Sequence, residues 1–249
     1  RGDDTRSHPK KSLKIKFDGE VFENGRNVLN FNAEYEDPTY ICQYLSSLTF
    51  RKIGYPCFEA EHARLYINGS FLGLYLRIEN IDADFLKSRN LDPTGNLYKA
   101  TEDDASLSIY DDVNTLWEKK TNENLDRQDL QKLIDSLFYV PDIEYERFAK
   151  TTFDYNKMID IIAVNMLIAH GSTYYHNYYM YHDIFGSDKW IMMPWDMDKT
   201  FSMYGFLYPY HRSSSYTSPD NPFFERALLC EPIFNDIRNR IESLKDEFF

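Results

Sequence analysis

Asn177-Tyr178-Tyr179-Met180-Tyr181-His182-Asp183-Ile184, then Phe185-Gly186-Ser187-Asp188, then Lys189-Trp190-Ile191-Met192-Met193-Pro194-Trp195, followed at once by Asp196-Met197-Asp198, is the stretch on which the fold turns. Two aromatic-rich apolar runs around four turn-favouring residues read as a β-hairpin. The acids at its open end point to chemistry. In extended chain residues i and i+2 point the same way, so Asp196 and Asp198 can face one cation, and Mg²⁺ takes one or two carboxylates with phosphate oxygens completing its shell. If the turn is symmetric, Ile184 opposes Lys189 and Asn177 opposes Asp196, placing an amide oxygen beside a carboxylate at the hairpin mouth. An Asp-x-Asp pair also serves as a solvated strand end or a helix cap.

Working outward, Asp154 to Ala169 is so apolar (Met158, Ile161, Ile162, Val164, Met166, Leu167, Ile168) that it predicts a central buried helix capped by Asp154. Asp126 to Leu137 carries Leu130, Leu133, Ile134 and Leu137 on one helical face. After the hairpin, residues 202–222 are rich in Tyr, Ser and Pro and read as a loop, before a terminal helix from about Pro232 to Phe249. The first third has strand periodicity: Leu13, Ile15 and Phe17 alternate with Lys14, Lys16 and Asp18, and Arg64–Ile67 and Phe71–Leu76 flank Asn68-Gly69, a pair suited to a tight hairpin turn. Between them Ile41, Tyr44, Leu45, Leu48 and Ile53 fall near helical spacing and stop at Gly54, which inserts one helix into the sheet. The expectation is an α+β chain, strand-rich to about residue 100 and mainly helical over 101–249.

A length of 249 residues suits one two-lobed domain or two small ones. A net charge of −12 argues against a nucleic-acid footprint, which needs a basic stripe. No apolar run nears the roughly 18 residues of a spanning helix, and no basic-apolar leader opens the chain, so a soluble protein is expected. Cys42, Cys57 and Cys230 are odd in number and lack a C-x-x-C pair, supporting neither a disulfide framework nor a structural zinc.

Spacing adds meaning to the acids. Protein kinases use His-Arg-Asp-x-x-x-x-Asn, a short hairpin, then a metal-binding Asp. Here His170, Asn177, a hairpin and Asp196 follow in that order, with Ser172 where the catalytic Asp belongs. Arg1-Gly2 with Lys10-Lys11-Ser12-Leu13-Lys14-Ile15-Lys16, Tyr66-Ile67-Asn68-Gly69 running into Gly73-Leu74-Tyr75 and Glu79, Gly95-Asn96-Leu97-Tyr98-Lys99, Asn177–Tyr181, and Trp190 with Pro194-Trp195-Asp196-Met197-Asp198 together resemble the spore-coat protein H (CotH) kinase-like family, in order over nearly the whole chain. The resemblance implies one domain over 1–249, with an atypical protein-kinase-like, two-lobed fold truncated at the termini. It also implies ATP and Mg²⁺ (or Mn²⁺) as cofactors, a protein substrate or coat partner, and a spore-coat or cell-surface location.

By the same resemblance Asn177, Asp196 and Asp198 hold the metal. Lys14, Lys16 or Lys99 supplies the phosphate-binding ammonium and Glu79 orients it, as a strand lysine and a helix glutamate pair in ordinary kinases. Lys99, isolated after an apolar strand, is the favoured lysine; Lys14 and Lys16 also fit a wet strand face. Trp190 stacks on adenine or sits in the core. His170 and His176 flank Ser172 and suit buried hydrogen-bonded histidines better than a base. Arg1-Gly2-Asp3 spells an adhesion tripeptide but reads within the family as a strand start. Two functions follow: a Ser/Thr phosphotransferase weakened by Ser172, or an inactive, pseudokinase-like coat or surface protein that works by binding.

Overall fold

A computed structural model describes residues 8–18, 26–101, 105–201 and 221–248. Strands β1 (Leu13–Lys16), β2 (Val28–Asn32), β3 (Ala60–Ile67) and β4 (Ser70–Ile78) form an antiparallel sheet in the order β1-β2-β4-β3. Asn68 (φ 50°) and Gly69 (φ 80°) take the left-handed conformation that a tight β3–β4 turn requires. Past the reach of β2 this ribbon is exposed on both faces, with Tyr66, Ile67, Phe71 and Leu72 in solvent.

Helix α1 (Cys42–Lys52) enters between β2 and β3 as expected, but its faces are reversed. It buries Cys42, Gln43, Ser46, Ser47 and Phe50, and leaves Ile41, Leu45 and Leu48 exposed. Asp37 starts it from outside, accepting hydrogen bonds from the Ile41 and Cys42 amides at 2.9 Å.

A short helix α2 (Ala83–Ser88) leads to the second sheet, built from β5 (Asn96–Ala100), β6 (Trp117–Lys119), β7 (Tyr178–His182) and β8 (Trp190–Pro194) in the antiparallel order β6-β5-β7-β8. β5 thus pairs with β6 and β7, so the strand texture before residue 100 is divided between two sheets. Gly95 permits this: a Cβ there would stand 2.6 Å from the Tyr181 ring and 2.7 Å from the His182 carbonyl.

Helices α3 (Gln128–Tyr139), α4 (Asp142–Thr152), α5 (Tyr155–Leu167), α6 (Pro222–Leu229) and α7 (Glu231–Phe248) complete the described elements, and none is long and apolar enough to cross a membrane. Periodicity revealed α3, α5 and α7. It missed α4, and α6 follows the stretch read as loop; 202–220 and Arg1-Gly2-Asp3 lie outside the described residues. The core is continuous from Phe50, Phe58 and Ile78 through Tyr98 and Tyr178 to Ile161, Ile162, Phe223 and Ile237. Each such side chain contributes about 1.5–3 kcal/mol on burial. None of the three cysteines is in a disulfide.

The β7–β8 hairpin exists, but in a register one residue away from the symmetric expectation. Tyr178 opposes Pro194 and His182 opposes Trp190, so Asn177 opposes Trp195 and accepts its N–H at 3.0 Å; it does not oppose Asp196. The cause lies at the turn. The Asp183 carboxylate accepts the Ser187 amide at 2.7 Å and its hydroxyl at 2.8 Å, and the Asp183 amide donates to the Lys189 carbonyl at 3.0 Å. That closes a five-residue loop, Ile184 to Asp188, and a one-residue slip exchanges the faces of every side chain along the hairpin.

Candidate functional site

The residues Asp196 to Thr200 leave β8 and lie against the buried polar face of α1. The Gln43 side-chain oxygen accepts the Met197 amide at 3.2 Å, and Ser46 Oγ lies 2.9 Å from Thr200 Oγ1, which donates to the Met197 carbonyl at 2.9 Å. This docking explains the reversed helix: a conventional apolar face would leave the acidic segment's backbone without partners. Ala169, Asn177, Asp196 and Phe201 all adopt positive φ, between 52° and 63°. Strain of this kind, about 1–3 kcal/mol per residue, gathers at functional sites.

Glu34 joins the same place from the first sheet. It follows β2, is 5% exposed, and its Oε1 accepts Gln43 Nε2 at 2.8 Å. Burial, then the neighbouring charge of Asp196, pushes its carboxyl up to about 8. Burial, then the charges of Asp196 and Glu34, raises the Asp198 carboxyl well above its usual range. Three carboxyl groups thus press on one another, with Lys199 near Asp198 but paired to Glu36 at 3.1 Å.

Lys99 faces this group from β5. Its half-buried ammonium lies 5.7 Å from the centroid of the Trp195 ring. Burial lowers its pKa, while the charges of Glu118 and Asp196 work to raise it and those of Lys120 and Lys14 to lower it. Lys14, on the exposed face of β1, hydrogen-bonds Asn80 Oδ1 at 3.5 Å. Lys99, Lys14 and Asp196 therefore share one electrostatic neighbourhood.

Two expected roles do not hold. Glu79 is not paired with Lys99: its buried carboxylate binds Arg26 and Arg89, the latter at 2.5 Å, and accepts the Glu59 amide at 2.9 Å. Those guanidiniums reach it on the first sheet, whereas Lys99 belongs to the second. Trp190 is a core residue, 4% exposed, stacked on His182 with ring centroids 4.1 Å apart and 6.2 Å from the Tyr98 ring. It stands at the opposite end of β8 from Asp196. The aromatic at the site is Trp195, held edge-on by Phe58 at 5.2 Å and Tyr179 at 5.5 Å.

In the catalytic-loop segment, His170 is fully buried, and burial depresses its pKa to about 3. Nδ1 lies 3.2 Å from Asn165 Oδ1 and Nε2 lies 3.2 Å from Ser172 Oγ, and the ring also meets the Asp196 backbone. The ring is thus held between Asn165, Ser172 and the Asp196 backbone. His170 is therefore a brace between the loop and the Asp196 segment. Ser172 begins a 3-10 turn, Ser172–Tyr174, and offers no carboxylate.

Carboxylates are the donor type that hard divalent cations take. Asp196, Asp198 and Glu34 are all carboxylates, and Glu34 is hydrogen-bonded by the side chains of Gln43 and Asn32. Among the described residues no three such side chains are close enough to enclose an ion by themselves. Glu34 was not foreseen, because an acid in the run Glu34-Tyr35-Glu36-Asp37 reads as solvated loop; its odd strand-end position was the one available signal.

Two comparisons bear on this geometry. A family model described as CotH kinase protein matches residues 1–249. Inner spore coat protein H of Bacillus subtilis (strain 168) is 29% identical over 208 residues, which are 80% of this chain and 57% of that relative. The chain thus spans less than two thirds of that relative's length.

Proposed function

Because the chain belongs to the CotH kinase protein family, we propose that it is an ATP- and Mg²⁺-dependent phosphotransferase acting on Ser or Thr of a partner protein, with a kinase-like cleft between its two sheets. The observation that supports this most is the convergence of Lys99, on β5, with Asp196, just past β8, in one half-buried acidic neighbourhood. Bound Mg²⁺–ATP supplies the phosphoryl group and neutralises charge developing on it. Asp196 and Asp198 hold the cation; Asn177, opposite Trp195, is left out of the ligand set. Lys99 aims its ammonium at phosphate oxygens, with Lys14 as an outer cation, and Trp195 flanks the pocket. His170 keeps the loop and the Asp196 segment in register. By analogy with the relative's name, a spore-coat or cell-surface location is part of this reading.

Ser172 favours the second reading, a coat or surface protein that keeps the fold and acts by binding. General-base help contributes about 10²–10⁴ in rate, so its loss slows a kinase without removing positioning and electrostatics. Radiolabelled ATP with a generic protein substrate separates the readings. Low wild-type transfer, raised by Ser172→Asp and abolished by Asp196→Ala, supports the phosphotransferase. Nucleotide binding without transfer in both the wild type and Ser172→Asp supports the binding protein.

A further inference from the structure

We propose that the outer face of the first sheet carries a receptor for a phosphoryl group, formed by Arg26 and Arg51 with Arg77, apart from the neighbourhood of Asp196 and Lys99. The inference stands whether or not the chain transfers phosphate.

A cavity of about 140 Å³ lies where β2, β3, β4 and the last turn of α1 meet, lined by Arg26, Arg51, Arg77, Glu59, Glu61 and Glu79. Strand register fixes its place. Arg77 stands level with Phe31 and Glu61, while Asn30, Ile78 and Ala60 form the next row. Successive side chains point to opposite faces, so Arg77 and Glu79 share the face of the small Phe31–Tyr75 cluster, and Ile78 joins the main core. Lys14 stands level with Asn30 and so points the other way.

The charges around the cavity form a chain with a guanidinium at both ends. Arg26 binds Glu79, Glu79 binds Arg89 at 2.5 Å, Arg89 lies 3.9 Å from Glu59, and Glu59 binds Arg51 at 3.0 Å. Three cations thus share two anions. The terminal pair, Arg26 and Arg51, each meet their carboxylate through one nitrogen, although a guanidinium carries five N–H donors. Both line the cavity, so the surplus donors border one small space. Arg77 brings a further guanidinium, held at 2.5 Å by Glu61. Glu79 is the fixed member of the set, its side chain fully enclosed. Glu59 and Glu61 are about half exposed, and pairs at that exposure contribute little and exchange readily.

Size and charge select the ligand. Sites for drug-sized molecules run to about 300–1,000 Å³, so a whole nucleotide does not fit, whereas a tetrahedral oxyanion with a few waters, at roughly 30 Å³ each, does. A carboxylate offers these arginines one negative charge, no more than Glu59 and Glu61 each supply from tethered positions. A phosphoryl group brings about −1.5 to −2 and three acceptor oxygens, which suit the bidentate forks of two arginines. Inorganic phosphate and a phosphorylated Ser or Thr of a protein share this chemistry.

Calorimetry on the full chain, without metal or nucleotide, tests it with inorganic phosphate and with a short Gly/Ser peptide carrying one phosphoserine, beside the unphosphorylated peptide. Wild type should bind phosphate. Arg51→Gln should weaken that binding at least tenfold with an unchanged thermal midpoint, and Glu59→Gln, which removes the competing carboxylate, should tighten it several-fold. Arg147→Gln, on an exposed side chain of α4, should change nothing. Binding of the phosphopeptide as well as phosphate makes the source a modified side chain; binding of phosphate alone makes it the free ion, and either result supports the receptor. No binding by wild type or Glu59→Gln, equal losses in Arg51→Gln and Arg147→Gln, or a loss confined to Lys99→Met overturns it, the last by placing phosphate at the second sheet. Should Arg51→Gln unfold, Glu59→Gln decides: binding no tighter than wild type overturns the proposal.

Discussion

Replacing Gln43 by Met tests the reversed packing of α1 and, with it, the way the acidic segment is held. Gln43 is 1% exposed and serves two partners, the Glu34 carboxyl at 2.8 Å and the Met197 amide at 3.2 Å. Met fills the same volume but cannot donate to the first or accept from the second. Each buried group left without a partner costs about 1–3 kcal/mol, so the loss for two should be about 2–6 kcal/mol. Against a total stability of about 5–15 kcal/mol that is readily measured. The matched control is Leu45→Ser, on the solvent face of the same helix, where the change should stay within about 0.5 kcal/mol. Guanidinium denaturation of metal-free protein, followed by far-ultraviolet circular dichroism, gives both values. If Leu45→Ser costs more than Gln43→Met, the helix is turned the other way and the account of the Asp196 segment fails with it.

Trp190→Ala should cost about 3–5 kcal/mol as a core truncation and leave Mg²⁺–ATP affinity unchanged in the folded fraction, whereas Trp195→Ala should weaken that affinity in calorimetry; the reverse pattern restores Trp190 to the site. Glu79→Gln should destabilise by about 3 kcal/mol, because Arg26 and Arg89 lose the carboxylate between them, without weakening nucleotide binding as Lys99→Met does. For Asp129, burial favours the neutral acid, but hydrogen bonds from His182, Tyr98 and Asn96 outweigh it and lower the pKa from 3.8 to about 2. A lowered carboxyl pKa stabilises the fold above pH 3.8 and ceases to as pH falls through about 2. Urea titrations from pH 5 to 2 should show that loss in the wild type and a shallower one in Asp129→Asn; identical slopes would count against the network.

Local patterns carried much of the fold into view. Asn68-Gly69 announced its hairpin because only a few residues accept two positive φ values in succession, and α5 and α3 announced themselves by dense apolar periodicity. What stayed hidden was set by tertiary contacts. Whether α1 turns Leu45 or Gln43 inward depends on a segment some 150 residues later, and no helical wheel contains Thr200. The β7–β8 register turned on one side chain, Asp183, closing a longer loop than residue counting assumes. The nearness of Lys99 to the Asp196 segment was legible because their residue types and motif positions are distinctive. Glu79 was assigned from the family analogy, and the structure gives it to Arg26 and Arg89, which no spacing rule linked to it. Glu34 had no motif at all; only burial beside Asp196 sets it apart from the neighbouring surface acids.

The placement of the indole rings has a practical consequence. Of three tryptophans in the chain, Trp117 and Trp190 are sealed in the interior at 2% and 4% exposure, while Trp195 is half-buried beside Lys99 and adjoins Asp196. Native tryptophan fluorescence is thus divided between two rings shielded from solvent and one beside the acidic segment. Changing Trp190 and Trp117 to phenylalanine leaves a single indole, adjoining Asp196, whose emission reports on that segment without attaching a dye, and on Mg²⁺–ATP if the proposed function holds.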